Sequence, residues 1–207
     1  MPRTEEPGSP ARLSSCMNML TDSHDAVTAD WAASILDFWF NRVGEQRWWQ
    51  HDPALDRACA SRYGQLWKEK QEQSAETFLE RADDALAAVI LFDQLPRNMF
   101  RGEAHAFATD ALAREVARGA IAHGYDIQIG GAGRLFFYMP FQHSEALEDQ
   151  ELSLTLFEGA ADAKSLDFAR QHHQIIKRFG RFPHRNEALG RETRPEEQES
   201  VREGSEW

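Results

Sequence analysis

Residues 82–98 read Ala82-Asp83-Asp84-Ala85-Leu86-Ala87-Ala88-Val89-Ile90-Leu91-Phe92-Asp93-Gln94-Leu95-Pro96-Arg97-Asn98. Two aspartates open the stretch, alanines and large aliphatics fill it, and Pro96 is expected to end it. From Ala85 to Leu95 it is apolar nearly all round. A helix of that kind has no solvent face and belongs at the centre of a domain. The segments on either side supply amphipathic helices to cover it. Upstream, Trp31, Ile35, Phe38 and Trp39 recur at helical spacing over 28–40. Asp52-Pro53 is a strong start signal, an acidic cap followed by proline in the first turn. Leu55, Cys59, Arg62, Tyr63, Leu66 and Trp67 then mark one face of the helix that follows.

Downstream, Thr109 and Asp110 open an alanine-rich helix that Gly124 closes. A glycine loop (Gly130, Gly131, Gly133) leads to a short helix over 134–139, which Pro140 should stop. Ser144 caps a helix carrying Leu147, Leu152, Leu156 and Phe157. The last long helix runs from about Lys164 to Phe179, with an inner face of Leu166, Phe168, Ala169, His172, Ile175, Ile176 and Phe179. No segment alternates as a strand does. The expected fold class is all-α, a multi-helix array whose short loops make sequential helices antiparallel neighbours.

The chain has 207 residues and a formal charge of -11. An acidic balance argues against nucleic acid and anionic lipid as partners, because phosphate contacts need a basic face. Two cysteines, Cys16 and Cys59, rule out a disulfide scaffold and a Cys-x-x-Cys zinc site. No apolar run has the length of a membrane span. Residues 1–27, rich in proline and serine, read as a disordered tail with no secretory signal. Residues 28–191 read as one helical domain and 192–207 as a polar acidic segment with a capped turn near 193–197. A cytoplasmic protein with no cofactor and no metal is the expectation.

Three polar clusters stand out. From Lys177 to Arg191 there are five basic residues, Lys177, Arg178, Arg181, Arg185 and Arg191, against one acid, Glu187. Arginine forks grip carboxylate or phosphate in two bonds, so Arg178, Arg181, Arg185 and Asn186 are candidate ligand contacts. The competing reading pairs these arginines with the chain's excess carboxylates. A second cluster is Asp93, Gln94, Arg97, Asn98 and Arg101. A buried Asp93 needs a cationic partner, and Arg97 or an arginine of the first patch would serve. The third is Gln142-His143-Ser144-Glu145, at a helix start. His143 and Glu145, with His184, are candidate proton-transfer residues. His-Glu-x-x-His, Gly-x-Ser-x-Gly and phosphate-loop motifs are absent.

These stretches together resemble the bacterial DUF924 family. The resemblance rests on Ile35-Leu36-Asp37-Phe38-Trp39-Phe40, on Leu91 to Gly102, and on Ala106-Phe107-Ala108-Thr109-Asp110. It continues through Met139-Pro140-Phe141-Gln142-His143-Ser144-Glu145 and Arg178 to Asn186. It implies an all-helical fold similar to tetratricopeptide-like superhelices and no established activity. Two functions follow as expectations. In the first, Asp93, Arg97, Asn98, Arg178, Arg181, Arg185 and Asn186 help bind a small anionic molecule. His143, Glu145 and His184 would move a proton in the same pocket. In the second, the helices form an adaptor groove for a protein segment, and the polar clusters only fix turns.

Overall fold

The computed structural model describes residues 30–160 and 162–202, and every regular element among them is helical. The expected tail over 1–27 and the odd aromatic Trp207 lie outside the described residues. The helices are α1 (Trp31–Leu36), α2 (Glu45–Trp48), α3 (Pro53–Lys70), α4 (Ala82–Val89), α5 (Leu95–Met99), α6 (Asp110–Ala122), α7 (Tyr125–Ile129), α8 (Gly131–Gln142), α9 (Leu147–Ala160), α10 (Ala163–Phe179) and α11 (Gln198–Arg202). The central helix is the one the apolar stretch predicts. Residues 85–95 are buried without exception, and α4 touches α1, α6 and α8. Beyond them α9 bridges α8 to α10.

Local chemistry explains the element ends. Asp52 accepts the amides of Ala54 and Leu55 at 2.8 and 3.3 Å, with Pro53 in the first turn of α3. All six residues of the expected α3 face are buried. Asp162 caps α10 in the same way, and Gly180 ends it with φ +69°, a conformation that costs glycine little. On α10 the expected inner face is right except at Phe168, which is 38% exposed.

Two prolines do not stop their helices. α8 starts earlier than expected, at Gly131, and runs through Pro140 to Gln142. The third glycine of the expected loop, Gly133, lies inside α8. A Cβ there would come within 2.5 Å of Ile129 and 3.2 Å of Leu86, so the glycine sets how closely α8 approaches α4. At Pro96 the helix also continues. Residues 90–94 widen into a π-helical turn between α4 and α5, and Pro96 falls in the first turn of α5. Proline has no amide to give the carbonyl four residues back, here Phe92. The Thr109 hydroxyl donates to that carbonyl at 2.7 Å instead and accepts the indole N–H of Trp67 at 3.1 Å. Thr109 still opens α6, but its side chain caps nothing because it is committed to Phe92. Local widenings of this type store a residue's worth of slack and are frequent at functional sites.

The core is aromatic. Phe38, Trp39, Tyr63, Phe92, Phe136, Phe137, Tyr138, Phe141 and Phe157 are at most 1% exposed. Each contributes about 1.5–3 kcal/mol by burial. Trp48 stacks on Trp39 at 6.3 Å and meets Phe136 edge-on at 4.9 Å, so this tryptophan is packing. Trp49 lies half-exposed over Phe136.

Candidate functional site

The π-helical turn aims Asp93 inward, where its carboxylate is completely buried. It accepts from His143 Nδ1 at 2.8 Å, from the Gln94 amide, and lies 3.2 Å from Arg97 Nη1. Because the carboxylate only accepts, Nδ1 of His143 carries the hydrogen and Nε2 is left as the basic nitrogen. His143 is the residue at which α8 ends, so Pro140 and the two residues after it set where the imidazole stands. Burial alone would raise the Asp93 carboxyl. Arg97 and His143 outweigh burial and hold it well below the ordinary carboxylate range. His143 is pushed down by burial and partly supported by Asp93.

Arg97 makes two bonds to Asp110 at the start of α6, Nη1 at 3.0 Å and Nη2 at 3.1 Å, and also donates to the Asp93 carbonyl. Asp110 is shared. On its other side lies Arg185 Nη1 at 3.5 Å, from the turn after α10. Arg185 is 6% exposed, with the ring of Phe107 at 4.6 Å and that of Phe182 at 4.5 Å from its guanidinium carbon. Burial and the neighbouring Arg97 bring its pKa down to about 10. His184, beside it, is driven to about 3 by burial and by the same arginines. His172 of α10 lies 6.2 Å from the His143 ring and is also driven to about 3 by burial. Two buried nitrogens of this cluster, Arg185 Nε and His184 Nδ1, have no hydrogen-bond partner among the described residues.

Glu145 sits at the border. It accepts two bonds from Arg191, at 2.7 and 3.0 Å, and the backbone amide of Phe182 at 2.8 Å. Burial alone would raise the Glu145 pKa, and those bonds outweigh it and lower the pKa. Its carboxylate thereby holds the Phe182–Arg185 turn against the loop after α8.

The sequence-predicted residues therefore divide. Asp93, Arg97, His143, His184 and Arg185 come together, and Glu145 buttresses them. Asn98 turns away to Asp56 at 2.9 Å. Arg181 and Asn186 bind Glu197 instead, Arg181 with bonds of 2.7 and 2.8 Å and Asn186 with one of 3.0 Å. Arg178 is exposed, its guanidinium over Phe179 at 4.7 Å. For Arg181 and Arg191 the pairing reading of the basic patch describes the geometry, and for Arg185 it does so only in part. Sequence reasoning missed Asp110 as a site member, and Phe107 and Phe182 as its walls. All three lie inside the quoted motifs, and Asp110 is the acid that Arg97 reaches with two bonds.

The cluster reaches the surface through Arg97 and His143, whose side chains are 19% and 14% exposed. A cleft of ≈ 510 Å³ lies alongside, lined by Arg181, Arg191, Glu192, Thr193, Arg194 and Pro195. None of the cluster residues lines it; Arg191, on its wall, holds Glu145. Among the described residues no group of three or more His, Cys, Asp or Glu side chains could hold a metal ion, and no helix is long and apolar enough to cross a membrane.

A solved structure of a protein of unknown function from Agrobacterium tumefaciens is similar, with a TM-score of 0.80 and 41% identity over 86% of this chain and 99% of that one. No curated protein matches the chain. The model of a family described as a bacterial protein of unknown function, DUF924, matches residues 35–205, and the chain belongs to that family.

Proposed function

We propose that the Asp93, Arg97, Asp110, His143, His184 and Arg185 cluster is a small-molecule site that binds an anionic group. His143 is its proton-transfer residue. One observation carries the reading. Asp93 is wholly buried and orients an imidazole, while two nitrogens next to it, Arg185 Nε and His184 Nδ1, are buried without a partner. Each unpartnered group costs about 1–3 kcal/mol, so the arrangement is poor for stability and suited to a missing acceptor. A planar carboxylate or a phosphate oxygen supplies that acceptor.

An adaptor needs a continuous exposed apolar groove. Among the described residues the large exposed apolar side chains, Trp49, Ile127, Leu147, Phe168 and Val201, fall on five different stretches of the chain, which favours the small-molecule reading.

The test is thermal unfolding of the protein against a panel of carboxylates and phosphates. A ligand of the folded state raises the midpoint by mass action, with about 2.7 kcal/mol of stabilisation at a hundredfold excess over Kd. The expected result is a shift with one anion class that disappears in Arg185→Lys, which keeps the charge and loses the fork. A flat panel for the native protein would overturn the proposal and return weight to a protein partner.

A further inference from the structure

We propose that the cleft along residues 191–195 is a second anion site and that it takes the phosphate group of a small phosphate monoester. Arg194 and Arg181 hold the group, and the Thr193 hydroxyl helps them. None of the buried-cluster residues lines this cleft, so the proposal does not depend on the reading above.

The observation is an unequal sharing of charge. The Glu197 carboxylate is completely buried, and Arg181 and Arg194 both lie against its Oε1, at 2.7 and 3.8 Å. Arg181 takes the carboxylate with two bonds, and the Asn186 amide and the Arg194 backbone N–H complete it at Oε2. One negative charge thus serves two guanidinium groups, and the charge of Arg194 is left over. The third arginine on the wall, Arg191, is matched by Glu145.

Unspent hydrogens sit on the same groups. A guanidinium carries five. Arg181 spends Nε and Nη2 on Glu197 and on the Glu192 carbonyl, while Nη1 has no partner among the described residues. Arg194 gives Nη1 to the Phe179 carbonyl at 3.3 Å. Its Nε and Nη2, one whole edge of the fork, have no partner among the described residues, and its side chain is 49% exposed. Thr193 Oγ1 accepts from Asn186 at 3.4 Å, which leaves its own hydrogen to donate.

This donor set selects the ligand. A carboxylate has two oxygens in one plane, and the Arg194 edge alone satisfies it. Arg181 Nη1 and the Thr193 hydroxyl would gain nothing. A phosphate group has a third terminal oxygen out of that plane for them. The cleft volume of ≈ 510 Å³ suits a small molecule. The formal charge of -11 works against a polyanion or an anionic membrane. The opposing group on the wall is Glu192. It is exposed and its carboxylate has no partner among the described residues, so it can turn to water.

The experiment is calorimetric titration of the full chain with glycerol phosphate, inorganic phosphate and acetate at low salt. Both phosphates are expected to bind, with acetate at least about tenfold weaker. Arg194→Gln should weaken the phosphates about tenfold, the scale of one charged hydrogen bond. Glu192→Gln should tighten them by removing the one opposing charge on the wall. If Arg194→Gln does not fold, Glu192→Gln decides. Acetate bound as tightly as phosphate would overturn the ligand class. Phosphate affinity unmoved by both variants would overturn the site. Binding kept in Arg194→Gln and lost in Arg185→Lys would place the anion in the buried cluster instead. No binding of either phosphate would overturn the proposal, whatever the cluster does with carboxylates.

Discussion

Thr109 donates its hydroxyl to the carbonyl of Phe92 at 2.7 Å, replacing the amide that Pro96 lacks. The same oxygen accepts from Trp67, so one small side chain satisfies two buried groups. Thr109→Val keeps the shape and removes both bonds. The expected cost is about 2–4 kcal/mol in urea unfolding. Pro96→Ala in that background restores an amide near Phe92 and should recover part of the loss. Two strictly additive substitutions would show that the proline and the threonine are not coupled.

Asp93→Asn removes a buried charge and leaves its partners in place. Arg97 keeps Asp110, but His143 loses its carboxylate. A loss of about 3 kcal/mol is expected, in the range for breaking a buried pair. The His143 ring should titrate at still lower pH, read by NMR. A loss below about 1 kcal/mol would mean that Asp93 is not ionised in the folded protein.

Stability should fall as the solution is acidified from about pH 6.5. The folded pKa values of His172 and His184 are depressed to about 3, and that of His143 is lowered as well. Between the unfolded and folded values the unfolded chain binds more protons, so acid favours unfolding. Each such histidine contributes a slope of about 1.4 kcal/mol per pH unit. Below about pH 4 the carboxylates Asp93, Glu145 and Glu197, all depressed, add a second loss. His172→Gln should flatten the first limb measured by thermal unfolding. An unchanged slope would place the titrating groups elsewhere.

Glu197 has a fully buried carboxylate, bound by Arg181, Asn186 and the Arg194 amide. Those bonds hold its pKa down to about 2. Glu197→Gln should cost about 1–3 kcal/mol. It should also make residues 192–202 the first site of limited proteolysis. Cleavage at an unchanged rate would show that this segment is held by other contacts.

The sequence exposed the framework well and the site only in part. The apolar run over 85–95 could be nothing but a central helix, and Asp52-Pro53 placed its neighbour to the residue. What failed were the two proline stops. A sequence shows that Pro96 and Pro140 lack an amide. It does not show that Thr109, in a later element, stands ready to serve the carbonyl Pro96 leaves. The same limit applies to the site. Asp93 with Arg97, and His143 two residues from Glu145, are local and visible. The sharing of Asp110 between Arg97 and Arg185 is a tertiary fact. So is the diversion of Arg181 and Asn186 to Glu197. A basic run in sequence counts charges without saying which are already spent on partners.

The clasp of Glu197 by Arg181 and Asn186 bears on how the protein comes to exist in a cell. The helices up to α9, with most of the aromatic core, leave the ribosome well before Arg185, Arg191 and Glu197 do. For that interval Asp110 lacks its second arginine and Glu145 lacks Arg191. The scaffold, with Asp93, Arg97, Asp110 and His143 already made, precedes the cations that complete it. Arg185 and Arg191 are the last partners of Asp110 and Glu145 to be synthesised.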